Sequence, residues 1–156
     1  MPIDDAQFKA ALSHFASGVT VVTTEHEGKR YGMTVASFAS LSLHPPLVLV
    51  CVEKSVKTHD AIAAAGKFGV SILAQEQTGV SARFASRSDD KFAGIDVTRG
   101  ELGVPLIANS LATLECRVHE TLPGGDHTIF VGEVESNVLG TAGPGLVYRG
   151  GEFFPA

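Results

Sequence analysis

The stretch YGMTVASFASLSLHPPLVLVCV, residues 31–52, decides how this chain is read. Its first half alternates. Met33, Val35, Ser37 and Ala39 fall on one side, and Thr34, Ala36, Phe38, Ser40 and Ser42 on the other. That is the period of a strand with one face in a core. Pro45 and Pro46 mark a bend, and the apolar run PLVLVCV behind them reads as a strand buried on both faces. Upstream, GVTVVTT (18–24) is β-branched almost throughout, again a strand. HEGKR (26–30) is the polar turn between.

Working outward, the remaining segments add few helices. Phe8, Leu12 and Phe15 recur at helical spacing near the N-terminus, with Asp4 or Asp5 placed to cap and Gly18 to end the helix. Ala61, Ile62 and Ala65 predict a short helix closed by Gly66, and EQTGVSARFA (76–85) predicts another. GVSILA (69–74) is a strand. LATLECRVHETL and HTIFVGEVESNVL form a hairpin around a PGGD turn, with Gly124 and Gly125 supplying the permissive backbone. GLVYRG (145–150) is a last short strand. Strands do not alternate strictly with helices, which disfavours a doubly wound parallel sheet. The expected fold is mainly β: a closed antiparallel barrel whose closure removes exposed edges, with short peripheral helices.

Bulk properties narrow the function. The chain has 156 residues, 44% hydrophobic and 19% charged, so one globular domain spanning 1–156 with a real core is expected. A net charge of −5 argues against binding nucleic acid or an anionic membrane, which need a basic face. No basic segment followed by an apolar stretch opens the chain, so no signal peptide is expected. The expected location is cytoplasmic. Cys51 and Cys116 sit in apolar runs without a CxxC neighbour and read as buried free thiols. The six histidines show no zincin or finger spacing, so no metal site is expected. A nucleophile elbow, a Walker pattern and a GxGxxG turn are all missing from the sequence.

Three segments carry polar residues that packing does not require. Hydroxyls of Thr34, Ser40 and Ser42, with Ser37 opposite, can bond the edge of a flat heteroaromatic ring lying along the strand. In CVEKSVKTHDAI (51–62) an apolar strand runs into a helix start that Ser55 or Thr58 can cap. Lys54 or Lys57 with the free N–H groups there suits a phosphate. In GGDHTIFVGEV (124–134), His127 follows a glycine turn, and Asp126 beside it can orient the imidazole.

Taken in order, FASGVTVVTT (15–24), GMTVASFASLSLHPPLVLVCV (32–52), SARFA (81–85), DKFAG (90–94), ATLECRV (112–118), GDHTIFVGEV (125–134) and LVYRGGEF (146–153) resemble the flavin reductase-like family. These are the small NAD(P)H:flavin oxidoreductase components of two-component flavin monooxygenases. The resemblance implies a split β-barrel of the FMN-binding type, with Greek-key-like order, acting as a homodimer. It implies hydride transfer from NADH or NADPH to FMN or FAD, with the reduced flavin passed to a separate oxygenase component. By the same resemblance the flavin ring lies against Thr34, Val35, Ala36, Ser37, Ser40, Leu41 and Ser42. Its phosphate lies at Val52, Lys54, Ser55 and Thr58, with Phe84 and Lys91 nearby. Gly125, Asp126 and His127 meet the nicotinamide coenzyme, His127 as the candidate catalytic residue, with Tyr148 and Arg149 near the same cleft. Many relatives read Ala-Asn after the Thr where this chain has Val35-Ala36. The other readings are an oxidoreductase with a permanently bound flavin acting on another substrate, and a non-catalytic flavin-binding protein.

Overall fold

The structure is a computed structural model describing residues 2–156. Helix α1 (Asp5–Leu12) leads into β1 (Ser17–Gly18), β2 (Thr20–His26), β3 (Lys29–Val35), β4 (Phe38–Leu43) and β5 (Pro46–Glu53). Then come α2 (Lys57–Ala65), β6 (Lys67–Ile72), a short 3-10 turn, α3 (Thr78–Ala85), β7 (Val97–Arg99) and β8 (Pro105–Ile107). The chain ends in a long hairpin, β9 (Ala112–Gly124) and β10 (His127–Leu139), and in β11 (Leu146–Arg149) and β12 (Glu152–Pro155).

Seven strands make the main sheet, in the order β3-β2-β6-β9-β10-β5-β4, every pair antiparallel. The alternating half of the quoted stretch is therefore two strands, not one. It breaks at Ala36–Ser37, and β3 pairs with β2 while β4 pairs with β5 at the opposite end of the order. The alternation does not announce the break, yet the buried side changes there: Met33 and Val35 of β3 and Phe38 of β4, from opposite sides of the alternation, reach the same core. A period of two reports which face is buried and not which strand lies alongside.

One core binds the sheet's two ends together. Val22, Val35, Val50, Val52, Phe68, Val70, Cys116 and Phe130 share a buried cluster with Ile62 of α2, and Phe38 of β4 packs against it. Strands at both ends reach the same cluster, so the sheet curls around it. It does not close: β3 and β4 are the two edges of the hydrogen-bonded order. The sequence expectation of a closed barrel without edges is corrected accordingly. The opposite face of β2 supports a second cluster, in which Val19 and Val21 meet Phe84, Phe92 and Ile107.

Turn chemistry explains the connections. The β2–β3 hairpin turns on Glu27 and Gly28, both at positive φ (51° and 77°), which a right-twisted two-residue turn demands. The β9–β10 hairpin turns on Gly125 and Asp126. Only Gly125 is at positive φ (68°), and Gly124 is a strand residue paired with His127. Gly66 ends α2 at φ 69°, as expected.

Three local expectations fail for lack of a packing partner. Helix α1 stops at Leu12, with Asp4 as its cap, and the chain reaches Gly18 already as strand β1. None of its residues is buried, and Phe8 and Leu12 are half-exposed. Strand β5 buries Val48, Val50 and Val52, but Leu47, Leu49 and Cys51 on its other face are half-exposed, because within one chain no layer covers that face. Cys51 is thus not buried, whereas Cys116 is. Strand β11 falls within GLVYRG, as expected, whereas β1 and β12, its partners in a separate small sheet, are too short to announce themselves by periodicity.

Gly132 on β10 lies against the core. A Cβ there would sit 2.5 Å from Phe68 and 2.7 Å from Cys116. Gly132→Ala is expected to destabilise the fold by about 1–3 kcal/mol, the usual cost of overpacking, read from urea unfolding midpoints. Burial, with the Glu115 carboxylate beside it, pushes the Cys116 thiol up to about 12. In the folded protein at neutral pH it should resist maleimide, and label fully once the chain is unfolded.

Candidate functional site

Strand β3 is an edge, so half its backbone groups have no strand partner. The Gly32 carbonyl accepts a hydrogen bond from Lys91 Nζ at 3.0 Å, which shows that it points off the free edge. By the two-residue alternation of an antiparallel ladder, the peptide groups of Thr34 point the same way. These groups form the floor of a cavity of about 910 Å³.

One wall is the β5–α2 junction. Val56 is the N-cap of α2 and makes no side-chain capping bond. Ser55 does not cap; its hydroxyl donates to Glu53 Oε1 at 2.9 Å. Thr58 does not cap either, since it lies inside the helix and is buried. The helix begins without a side-chain cap, so its first N–H groups and dipole are available to an anion. Lys57 lines this wall, 3.6 Å from Asp89 across the cavity. Lys54 is not part of the lining. Its backbone N–H instead donates to the Asp126 carbonyl at 2.9 Å, tying the junction to the β9–β10 turn.

The other wall is the end of α3 and the segment through Phe92. Lys91 is the important group here. Its ammonium donates to the Gly32 and Phe84 carbonyls at 3.0 and 3.1 Å. Two neutral acceptors hold the cation and leave it a further N–H. Burial pulls its pKa below the ordinary 10.5. Arg87, on the same wall, lines the cavity too. Arg83 steadies this segment through its guanidinium bond to the Asp90 carbonyl (3.2 Å).

The candidates fall into three groups. Thr34, Ser55, Thr58 and Lys91 surround the cavity together. The Thr34 hydroxyl donates to the Ser81 carbonyl at 2.6 Å, so toward a ligand it offers an acceptor. Val35 and Val52 are core residues that can offer only backbone. Phe84 is fully buried beneath Gly32 and supports the floor from below. Ala36 and Ser37 lie at the crossing between edges, where Ser37 Oγ donates to the Cys51 carbonyl. Ser40, Leu41 and Ser42 lie on β4, outside the cavity lining, with Leu41 at a register shift between the two serines.

The hairpin turn stands beside the cavity rather than in it. His127 pairs across the ladder with Glu53, which lines the rim. His127 Nδ1 and Asp126 Oδ1 are 2.7 Å apart, leaving Nε2 unengaged by that contact. The hydrogen bond from His127, and then its charge, holds the Asp126 carboxyl below the usual range. Tyr148 and Arg149 are on β11 in the small sheet. There the Tyr148 ring meets Phe153 (5.5 Å) and Arg149 Nε donates to the His14 carbonyl (3.1 Å). Neither lines this cavity.

One linking residue was missed from the sequence. His59 Nε2 is 2.7 Å from Thr128 Oγ1, and its Nδ1 is 2.9 Å from Asp60. It fastens the first turn of α2 to the strand residue next to His127. Nothing in the local pattern pairs position 59 with position 128. A second cavity, of about 720 Å³, has Glu76 and Asp96 as its charged lining residues and no Lys, Arg or His. That electrostatic setting does not suit a phosphate.

Comparison with known proteins gives the chain its family. The family model for the flavin reductase like domain matches residues 12–156. The reductase component of a 4-nitrophenol 4-monooxygenase/4-nitrocatechol 2-monooxygenase from Rhodococcus opacus is 44% identical over 156 residues, covering 99% of this chain and 84% of that one. The crystal structure of a nitrilotriacetate monooxygenase component B homologue from Mycobacterium thermoresistibile superposes with TM-score 0.95 at 44% identity, covering 98% of this chain and 87% of that one. An NADH:FAD oxidoreductase from Streptomyces globisporus, solved with NAD and FAD fragments, superposes with TM-score 0.92 at 43% identity, covering 97% and 92%.

The lowered pKa of Lys91 gives a pH signature. Burial disfavours the ammonium, so the folded chain gives up this proton more readily than an unfolded one. The cost of burying the charge is present below the folded pKa and disappears above it. If the ammonium holds an anionic ligand, flavin affinity should fall as pH rises toward 10.5, earlier than an ordinary lysine would dictate. Lys91→Met should bind flavin more weakly at neutral pH and lack that alkaline limb, as read by calorimetric titration across the range.

Proposed function

The chain belongs to the flavin reductase-like family, and from that premise we propose that it is an NAD(P)H:flavin oxidoreductase. It takes hydride from NADH or NADPH, passes it to FMN or FAD, and supplies the reduced flavin to a separate oxygenase component. The carrying observation is one cavity that combines the free edge of β3, the uncapped start of α2 and the Lys91 ammonium. A planar ring with an anionic tail fits that set: peptide groups for the ring's polar edge, a helix N-terminus for the phosphate, and a fixed cation between them.

The flavin supplies the hydride-accepting chemistry when bound; the chain supplies position and electrostatics. Thr34 and the β3 edge hold the ring edge. The α2 start, with Ser55 and Lys57, holds the tail. Lys91, anchored by two carbonyls, opposes negative charge without having to reorganise. His127, steadied by Asp126, presents Nε2 to the nicotinamide coenzyme, and Gly125 lets the backbone approach closely. His59 holds the two anchor points in register, which matters because hydride transfer needs the rings stacked at about 3–3.5 Å.

Four further readings accompany this one. The chain is a single domain, and its open curled sheet is the split barrel with Greek-key-like order. It works as a homodimer, which would cover the apolar side chains left exposed on one chain: Phe8, Leu12 and Phe15 at 50%, 56% and 77%, and Leu43 at 81%. Its location is cytoplasmic. No described helix is long and apolar enough to cross a membrane.

The deciding assay follows oxidation of NADH and NADPH with FMN, FAD and riboflavin each added in turn. Turnover that rises with free flavin is expected. A protein that purifies yellow and ignores added flavin would overturn the reading. His127→Ala should raise the KM for the coenzyme roughly tenfold, the worth of one charge-assisted hydrogen bond, and leave the KM for flavin in place. Unchanged coenzyme kinetics would remove His127 from the site.

A further inference from the structure

The junction between β5 and α2 sends its residues two ways. From Glu53 to Thr58 every residue lines the cavity except Lys54. Strand β5 has ended at Glu53, and α2 begins only at Lys57. The Lys54 backbone N–H donates to the Asp126 carbonyl at 2.9 Å, so this residue is fixed against the β9–β10 turn. Its side chain is exposed. The His127 hydrogen bond and charge hold the Asp126 carboxyl below the usual range, and the Lys54 ammonium adds a smaller pull in the same direction. The cavity it avoids, the carbonyl its backbone holds and the carboxylate that feels its charge all put Lys54 beside Asp126 and His127.

The charges at the turn give that position a consequence. Asp126 Oδ1 is 2.7 Å from His127 Nδ1, and Glu53 is the partner of His127 across the ladder. Directly opposed residues of an antiparallel pair stand about 5 Å apart at Cβ. A ligand that meets His127 therefore meets two carboxylates. A reduced nicotinamide dinucleotide carries a dianionic diphosphate, which that setting repels. The cavity's own cations are engaged elsewhere. Lys57 lies 3.6 Å from Asp89, and Lys91 is held by the Gly32 and Phe84 carbonyls. Apart from His127 itself, Lys54 is the one cation among the described residues whose charge reaches the Asp126 carboxyl. An exposed lysine ammonium on its four-carbon stem is a point charge suited to a phosphate.

We infer that Lys54 binds the diphosphate of the nicotinamide coenzyme, and so serves the hydride donor instead of the flavin tail to which the family resemblance assigns it. The inference rests on the flavin reductase reading, with His127 at the coenzyme, and goes beyond it. The flavin's anion keeps the start of α2 with Ser55 and Lys57. The coenzyme's anion takes Lys54 on the outer side of the same junction. The two anions do not compete for one cation, and a donor can bind beside a flavin already seated.

The test combines steady-state kinetics with flavin titration. NADH, NADPH and 1-benzyl-1,4-dihydronicotinamide, which has the ring but no phosphate, are compared as donors, over the uncatalysed background. The proteins are the wild type, Lys54→Met and Lys54→Arg, and FMN affinity is measured on each by calorimetry. Lys54→Met should raise the KM for NADH and NADPH roughly fivefold, the worth of one exposed charge contact. It should also flatten the rise of that KM with ionic strength, because a screened attraction has been removed. Lys54→Arg keeps the charge and should restore most of the loss. The penalty should vanish with the phosphate-free donor. FMN affinity should hold, which also certifies the fold. A matching loss of FMN affinity overturns the inference and returns Lys54 to the flavin tail. An equal penalty with all three donors overturns it too, as a structural effect on the turn. So does a change confined to NADPH, which would assign Lys54 to the 2′-phosphate, and so does an unchanged KM for NADH. Failure of the function reading looks different: the wild type oxidises none of the donors, with or without added flavin.

Discussion

An edge strand that is not closed off by its neighbour is the constraint on which the site depends. Backbone N–H and C=O groups on such an edge must find partners. In β3 the Gly32 carbonyl finds Lys91, and the remaining groups face the cavity. Had the sheet joined β3 to β4, those groups would be spent on a ladder and no polar floor would exist. The curl around the Val22–Phe130 core brings the two edges near one cluster without joining them. The same packing that stabilises the fold thus keeps the opening.

The electrostatics follow from that layout. A buried lysine would ordinarily be neutralised or paired with a carboxylate. Lys91 is only partly buried and takes neutral carbonyls as its partners, so its charge is not cancelled. The start of α2 is handled in the same way. Ser55, the obvious capping residue, turns to Glu53 and leaves the helix dipole open. In both places a local interaction that would stabilise the apo chain is absent, and an anion gains from its absence.

Much of this was legible one segment at a time. Alternation found the strands, Gly66 marked a helix end, and glycine with a polar neighbour found the hairpin turn at Gly125. The resemblance then gathered Thr34, Ser55, Thr58 and Lys91, which the cavity does bring together. What was not legible was relational. The break at Ala36–Ser37 leaves no mark on a period of two. The capping rule singled out Ser55 and Thr58, and neither caps, because a side chain's alternatives depend on what else is near. Lys91 meets Gly32 across 59 positions, and His59 meets Thr128 across 69. Arg87 reads as one more charge in the polar loop SRSDD until the fold lays that loop along the cavity. The apolar spacing of Phe8 and Leu12 found α1, though Phe15 lies past its end, and spacing alone says nothing about whether a partner lies within the same chain.

Gly32 limits what can vary. A Cβ at that position would lie 2.8 and 2.9 Å from two atoms of the Phe84 ring and 3.2 Å from Thr23, so the residue beneath the ligand must stay without a side chain. At that position the floor therefore offers only peptide chemistry. Divergence toward a different flavin, or engineering toward an unnatural one, is left with the flanks: the mouth of α2, the polar loop after α3, and the hairpin end.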